Sequence, residues 1–381
     1  MTLDALRQLF PHTTDLIYLN HAAVAPLSRP VVAAIDQQVE ERHRTHIDNF
    51  TAFQPIWDET KARLARTLGT TDDRVAVMPN TSWALNVLAG GLDWHPGDRI
   101  ALPACEFPSN VYPFMNLQHR GVEVDFIPHT DGTFTLRDME AAITPRTRLL
   151  TLSYVQFISG FRADLAAVGA LCRAHDLVFS VDGIQGVGAL QLDVEALGID
   201  FLACGGHKWL MAGQGIGFLY CSERLQPQLQ PPAGWLHGPV DWERFFDYDL
   251  TFFPDARRFD LGTANQLGIA AMHAAQGLYH ELGPAWCEER VLSLAQYLAR
   301  GLDRLGFARY GTADPAHASG IVAIHHPEPD ALLDHLRARG IVASVRNRLV
   351  RFAPTWYNSE AELDATLEAI KAFGRVTILP A

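Results

Sequence analysis

Lys208 lies in the run Cys204-Gly205-Gly206-His207-Lys208-Trp209, directly after the apolar stretch Phe201-Leu202-Ala203. Asp182 closes a second apolar stretch, Val178-Phe179-Ser180-Val181-Asp182. A lysine at the end of a buried strand is costly unless it is neutralised or used covalently. An acid at the end of a neighbouring strand can hold a cationic ring nitrogen. Together the two suit a pyridoxal phosphate Schiff base with its pyridinium partner. Each alone has a plainer reading, an exposed lysine after a strand and an acid capping a helix.

The elements that would position these residues follow a regular rhythm. Strand-like runs occur at Val75–Met78, Arg99–Leu102, Val122–Phe126, Leu149–Ser153, Val178–Val181, Phe201–Ala203 and Gly217–Tyr220. Helical patterns fall between them, at Ser82–Leu88, Asn110–His119 and Leu165–His175. Such alternation predicts an α/β domain around a mostly parallel seven-stranded sheet. Ligands gather at the carboxyl ends of such strands, where Asp182 and the turn to Lys208 fall. The stretch from Gln226 to Arg257 breaks the rhythm with Pro, Trp, Phe and Asp, as an excursion over the site or at the domain edge. Helices are expected over Asn265–Leu282, Trp286–Leu305, Asp330–Arg339 and Glu360–Phe373, with short strands at Ile321–Ile324 and Leu349–Phe352. The expected division is an N-terminal segment near the site (1–20), a large domain (21–257) and a smaller C-terminal α+β domain (258–381).

A chain of 381 residues exceeds one small core, which favours two domains. A net charge of −12, with no long basic block, argues against nucleic acid as the partner. The longest basic cluster, Arg346-Asn347-Arg348 with Arg351, is short. The five cysteines are odd in number and show no metal-ligand spacing, so a reduced cytoplasm and no metal are expected. The first residues, Met1 to Arg7, lack the features of a signal peptide. No apolar run approaches the roughly 20 residues of a membrane span.

Four segments in order resemble the class V aminotransferase family of fold-type-I pyridoxal phosphate enzymes, which includes cysteine desulfurases, kynureninase-like enzymes and isopenicillin-N-epimerase-like proteins. They are Val181-Asp182-Gly183-Ile184-Gln185, Gly206-His207-Lys208-Trp209-Leu210 with Gly213–Gly217, Arg258–Thr263, and Arg351-Phe352-Ala353-Pro354 with Tyr357-Asn358. The resemblance implies Lys208 as the Schiff-base lysine and Asp182 as the pyridinium partner. It implies Gln185 as donor to the ring's phenolic oxygen, and Thr81, Ser82 and His207 as phosphate contacts. Thr263 matches a phosphate contact that comes from a partner subunit, so a homodimer with a shared site is expected. Phe107 falls where an aromatic stacks on the ring; desulfurases usually carry His there. The resemblance predicts an Asn at Phe157, and Gln156 is the residue that could replace its polar role. Gly205 stands where a Ser often contacts the phosphate. Arg351 matches the arginine that grips the substrate α-carboxylate. Asn20 and His21 are further candidate substrate contacts.

The region His335 to Arg351 holds no cysteine, and none follows Cys287, which argues against a persulfide-relay desulfurase. Transamination, β-elimination from a cysteine-like substrate and epimerisation remain, with an aminotransferase-type reaction on a small amino acid as the leading expectation. Two rivals lie outside this chemistry. One is a non-enzymatic binding module of the same fold, which the intact Lys208, Asp182, Gln185 and Arg351 oppose. The other is a nucleotide-binding α/β protein, which lacks support because no Gly-rich phosphate loop is present.

Overall fold

The inner strands of the central sheet are buried on both faces, whereas its edge strand Glu123–Ile127 alternates polar and apolar residues. A computed structural model describes residues 1–373. In chain order its regular elements open with α1 (Leu3–Gln8), β1 (Ile17–Tyr18), α2 (Arg29–Arg44) and α3 (Phe50–Leu68). The α/β rhythm follows: β2 (Val75–Met78), α4 (Thr81–Gly91), β3 (Arg99–Pro103), α5 (Tyr112–Met115), β4 (Glu123–Ile127), α6 (Leu136–Ala142), β5 (Thr147–Ser153) and α7 (Leu165–Ala174). Then come β6 (Val178–Asp182), β7 (Phe201–Gly205), β8 (Gly217–Cys221), α8 (Gln266–Leu282) and α9 (Pro284–Arg304). The chain continues with β9 (Val322–His325), α10 (Pro329–Arg337), β10 (Ile341–Val342), β11 (Ser344–Arg346), β12 (Leu349–Phe352) and α11 (Glu360–Phe373).

The main sheet has seven strands in the order β2-β8-β7-β6-β5-β3-β4. β8 runs antiparallel to both its neighbours, and the other pairings are parallel. Alternate residues of each strand face opposite cores, as the two-residue strand period requires. Phe179, Val181, Leu202 and Cys204 join helices α3, α7 and α8 in one apolar layer. Val178, Phe201 and Ala203 join α4 in the other. The fold is therefore three layers, helix–sheet–helix, with a mostly parallel sheet.

A third apolar cluster unites β9, β10, β12, α10, α11 and the second half of α9. Leu19 belongs to it, and β1 pairs in parallel with β10, so the N-terminal segment is fastened to the C-terminal unit. The division expected at 257/258 does not follow the packing. Ile269, Met272, Ala275 and Tyr279 of α8 lie in the large core, because that apolar face is buried against α2 and α3. The change of core occurs within α9, whose Cys287 and Val291 face the large core and whose Leu294, Leu298 and Leu302 face the small one.

Candidate active site

Five chain segments converge at the carboxyl edge of the sheet. Register places Ser153 beside Asp182 and Asp182 beside Ala203, so the ends of β5, β6 and β7 are level. The turn after β7 is closed by Gly206 N–H to Ile216 O (2.8 Å) and by Ala212 N–H to Gly206 O (2.9 Å). That turn carries Lys208 over the sheet edge. Asn80 caps α4 by accepting from Trp83 N–H (2.9 Å), which puts Thr81 and Ser82 at the helix N-terminus. The hairpin of β11 and β12 supplies Arg346 and Arg351. These segments enclose a cavity of about 300 Å³ lined by Thr81, Ser82, Phe107, Asp182, Gln185, His207, Lys208 and Arg351, among others.

Lys208 is 8% exposed and forms no ion pair among the described residues. Its Nζ stands 5.6 Å from the centroid of the Phe107 ring, over its face. Burial pulls its pKa well below the usual lysine range; the negative charge of Asp182 opposes this and Arg351 adds to it. Asp182 is almost fully buried, and burial pushes its carboxyl upward. The backbone N–H of Ile184, which donates to its Oδ1 (3.0 Å), works the other way, and the nearby Glu106 carboxyl raises it further. Both groups are thus costly as charges until a cation or a covalent partner arrives.

The opposite end of the cavity is built for an anion. Thr81 Oγ1 is buried without a hydrogen-bond partner. A Cβ placed on Gly205 would lie 3.2 Å from Thr81 Oγ1 and 3.3 Å from His207 Nδ1, so both groups converge on that glycine. The free N–H groups and positive dipole end of α4 reinforce the site. Burial, then the charge of Lys208, lowers the pKa of His207, which leaves it neutral near pH 7 and able to donate one N–H.

Arg351 is 3% exposed and has no carboxylate partner among the described residues. One terminal nitrogen (Nη1) donates to Phe157 O (2.5 Å), while Nε is buried and unpaired. Burial pulls its pKa down to about 10. A buried, unpaired guanidinium is expensive, and a carboxylate placed on its fork would relieve that cost.

The family model for aminotransferase class-V matches residues 17–353. The chain belongs to the class-V aminotransferase family. A probable cysteine desulfurase of Methanothermobacter thermautotrophicus is 29% identical over 332 residues, covering 85% of this chain and 82% of that one. An uncharacterized aminotransferase of Bacillus subtilis, YcbU, is 26% identical over 376 residues and 97% of both chains. The cystine C–S lyase C-DES has the same fold: a structure with glycine covalently linked to its PLP cofactor gives a TM-score of 0.90 at 24% identity, covering 97% of this chain and 99% of that one.

As a member of the family, the chain is a pyridoxal phosphate enzyme, and its own residues fit that cofactor. The orphaned Thr81 hydroxyl and His207 suit the phosphate, and the buried Asp182 suits the pyridinium nitrogen. Gln185 Nε2 donates one hydrogen to Ala22 O (2.9 Å) and keeps another, while its Oε1 accepts from Trp209 Nε1 (3.0 Å). Ser82 donates to Ser109 (2.8 Å), which turns both hydroxyls toward the same wall. Gly205 is tightly backed by Ile184 (3.1 Å), so a serine there would need its neighbours to give way.

Three expected site residues stand elsewhere. Gln156 does not line the cavity: its Nε2 donates to Glu106 (2.5 Å), because the side chain turns into a buried polar nest. Asn20 and His21 lie behind the wall. His21 is fully buried between Ala353 O (2.9 Å) and the Tyr357 hydroxyl (2.6 Å), and burial lowers its pKa to about 3, so it fastens the Ala22–Val24 wall to the Arg351 strand. Thr263, expected to serve the site of a partner subunit, is exposed on a separate groove beside Gln38 and Arg42, away from its own chain's Lys208. Phe157 takes the position predicted for Asn, lines the cavity and packs edge-on against Phe107 (5.1 Å).

One residue beside the site escaped the sequence reading. Glu106 is a buried carboxylate satisfied by Ser153 N–H (2.8 Å), the Ser153 hydroxyl (2.5 Å), Asn110 (3.0 Å) and Gln156. Burial raises its pKa and these donors lower it. The cost argument that singled out Lys208 applies also to an acid three residues after the apolar β3, and it was the available signal.

Proposed function

We propose that the enzyme acts at the Cα of a small amino acid and that transamination is its outcome. The observation that carries this reading is the convergence of Lys208, Asp182 and Arg351 in one cavity, each buried and none in an ion pair among the described residues. Pyridoxal phosphate, when bound, supplies covalent attachment of the substrate amino group and a sink for the Cα electron pair. Asp182 would pair with the ring nitrogen, and a cation there would restore the carboxylate that burial disfavours. Phe107, on the same wall, would offer the ring an apolar face. Arg351 orients the α-carboxylate through a bidentate fork. Lys208, whose amine burial brings to a pKa of about 8, would be the base that takes the Cα proton and the acid that gives it back. No other side chain on the wall has both the position and the proton affinity for that transfer: His207 faces the phosphate end. Thr263 completes the phosphate site of a second copy, so the working unit is a homodimer.

A second reading, cleavage of a C–S bond, is favoured by the desulfurase and lyase names among the relatives. The hairpin of β11 and β12 turns tightly through Asn347 and Arg348 and carries no thiol, so a persulfide relay is not the route. Product analysis of the holoenzyme with L-amino acids decides between them. A 2-oxo acid formed with matched amination of an added oxo acid supports transamination. Pyruvate with ammonia and sulfide would replace it with the lyase reading.

A further inference from the structure

β11 ends at Arg346 and β12 carries Arg351, with Asn347 and Arg348 forming the turn at φ +46° and +63°. Left-handed backbone at two successive non-glycine residues makes a tight turn that fixes the spacing of the two arginines. Both side chains line the cavity that holds Lys208. Arg351 is buried and Arg346 sits at the exposed rim. Arg346 donates to Val345 O (2.8 Å), and neither arginine has a carboxylate partner among the described residues. The charge of Arg346 reaches both Lys208 and Arg351, disfavouring the protonated form of each. Asp182 is the only carboxylate on the cavity wall among the described residues, and it is the residue assigned to the ring nitrogen.

One α-carboxylate occupies one guanidinium fork. A substrate whose only anion is its α-carboxylate would leave Arg346 unused beside the cation of Arg351. We propose that Arg346 binds a second anionic group at the side-chain end of the substrate, which makes the substrate class amino acids with an acidic side chain, such as a carboxylate or sulfinate. This rests on the reading of Arg351 as the α-carboxylate clamp. Arg346 is a specificity-determining residue: it touches substrate and takes no part in proton transfer. The apolar rings of Phe107 and Phe157 lie on the same wall, so the selectivity comes from a single charged contact at the rim.

Unreactive probes test this. Succinate and butyrate are titrated separately into the pyridoxal phosphate-loaded protein, followed by the visible absorbance of the cofactor and by calorimetry. The wild type is expected to bind succinate at least tenfold more tightly than butyrate, since a second charged contact is worth roughly that factor or more. Arg346→Gln brings the ratio close to one, and Arg346→Lys restores part of it. In turnover, Arg346→Gln raises KM for L-aspartate relative to L-alanine by about the same factor. Equal binding of the two probes by the wild type, or a succinate preference that survives Arg346→Gln, overturns the proposal while leaving a functional holoenzyme. A protein that takes up no pyridoxal phosphate would instead remove the underlying reading, and this inference with it.

Discussion

Lys208 owes its reactivity to where the chain puts it. An exposed lysine is protonated below its ordinary value of 10.5, whereas burial brings this one to about 8 despite the opposing charge of Asp182. The sign follows directly: above about pH 8 the neutral amine dominates, and below it the ammonium does. Attachment of pyridoxal phosphate to the apoprotein should therefore accelerate with pH and be half-maximal near 8. Stopped-flow absorbance across pH 6–11 measures it, and a midpoint above 10 would show that the amine is solvated. The same cost argument explains why Lys208 and Asp182 were legible in the sequence: each is a charge closing an apolar run. Gln156 was not legible, because the chain turns there, with Gly160 N–H donating to Gln156 O (2.9 Å), and no periodicity says which side chain faces the cavity. Glu106 draws Gln156 inward and leaves Phe157 on the wall.

The elements matter through their ends. The end of β6 delivers the acid, the turn after β7 delivers the lysine, and the N-terminus of α4 delivers the anion site. The strands and α4 were readable because apolar runs and a polar cap mark them. The amphipathic helices α2 and α3 went unread, since their polar faces interrupt any simple apolar pattern, and only packing against α8 fixes them. The hairpin strand β11 was likewise missed, as three residues carry no periodicity. The orphaned hydroxyl of Thr81 gives the element-scale prediction. Thr81→Val keeps the shape and removes the donor, at a cost of about 1–2 kcal/mol for a charge-assisted contact. Equilibrium dialysis should show about five- to thirtyfold weaker binding of pyridoxal phosphate, with little change for pyridoxal. Equal weakening of both would place the phosphate elsewhere.

At the scale of the molecule, two cores meet along α9, and the N-terminal segment is fastened to the C-terminal unit, an arrangement no local pattern reveals. Among the described residues no helix is long and apolar enough to cross a membrane. The stretch after β8 exposes Trp242, Phe246, Tyr248 and Leu250, the last three at 84%, 88% and 70%. Exposed apolar side chains this close in sequence suit a contact surface. Together with Thr263 standing away from its own chain's site, it supports the homodimer. Light scattering should give twice the chain mass of 42.2 kDa. Thr263→Ala should weaken cofactor retention while the mass is unchanged. A monomer that holds the cofactor as tightly at nanomolar as at micromolar concentration would refute the shared site.

The most direct test of the account is to fix the cofactor to its attachment point. The pyridoxal phosphate-loaded protein is reduced with borohydride, digested, and mapped by mass spectrometry. The account predicts one stoichiometric pyridoxyl phosphate adduct, on the peptide containing Lys208, and its loss together with the visible absorbance band in Lys208→Ala. An adduct on another lysine, or a wild-type protein that carries none, would contradict it.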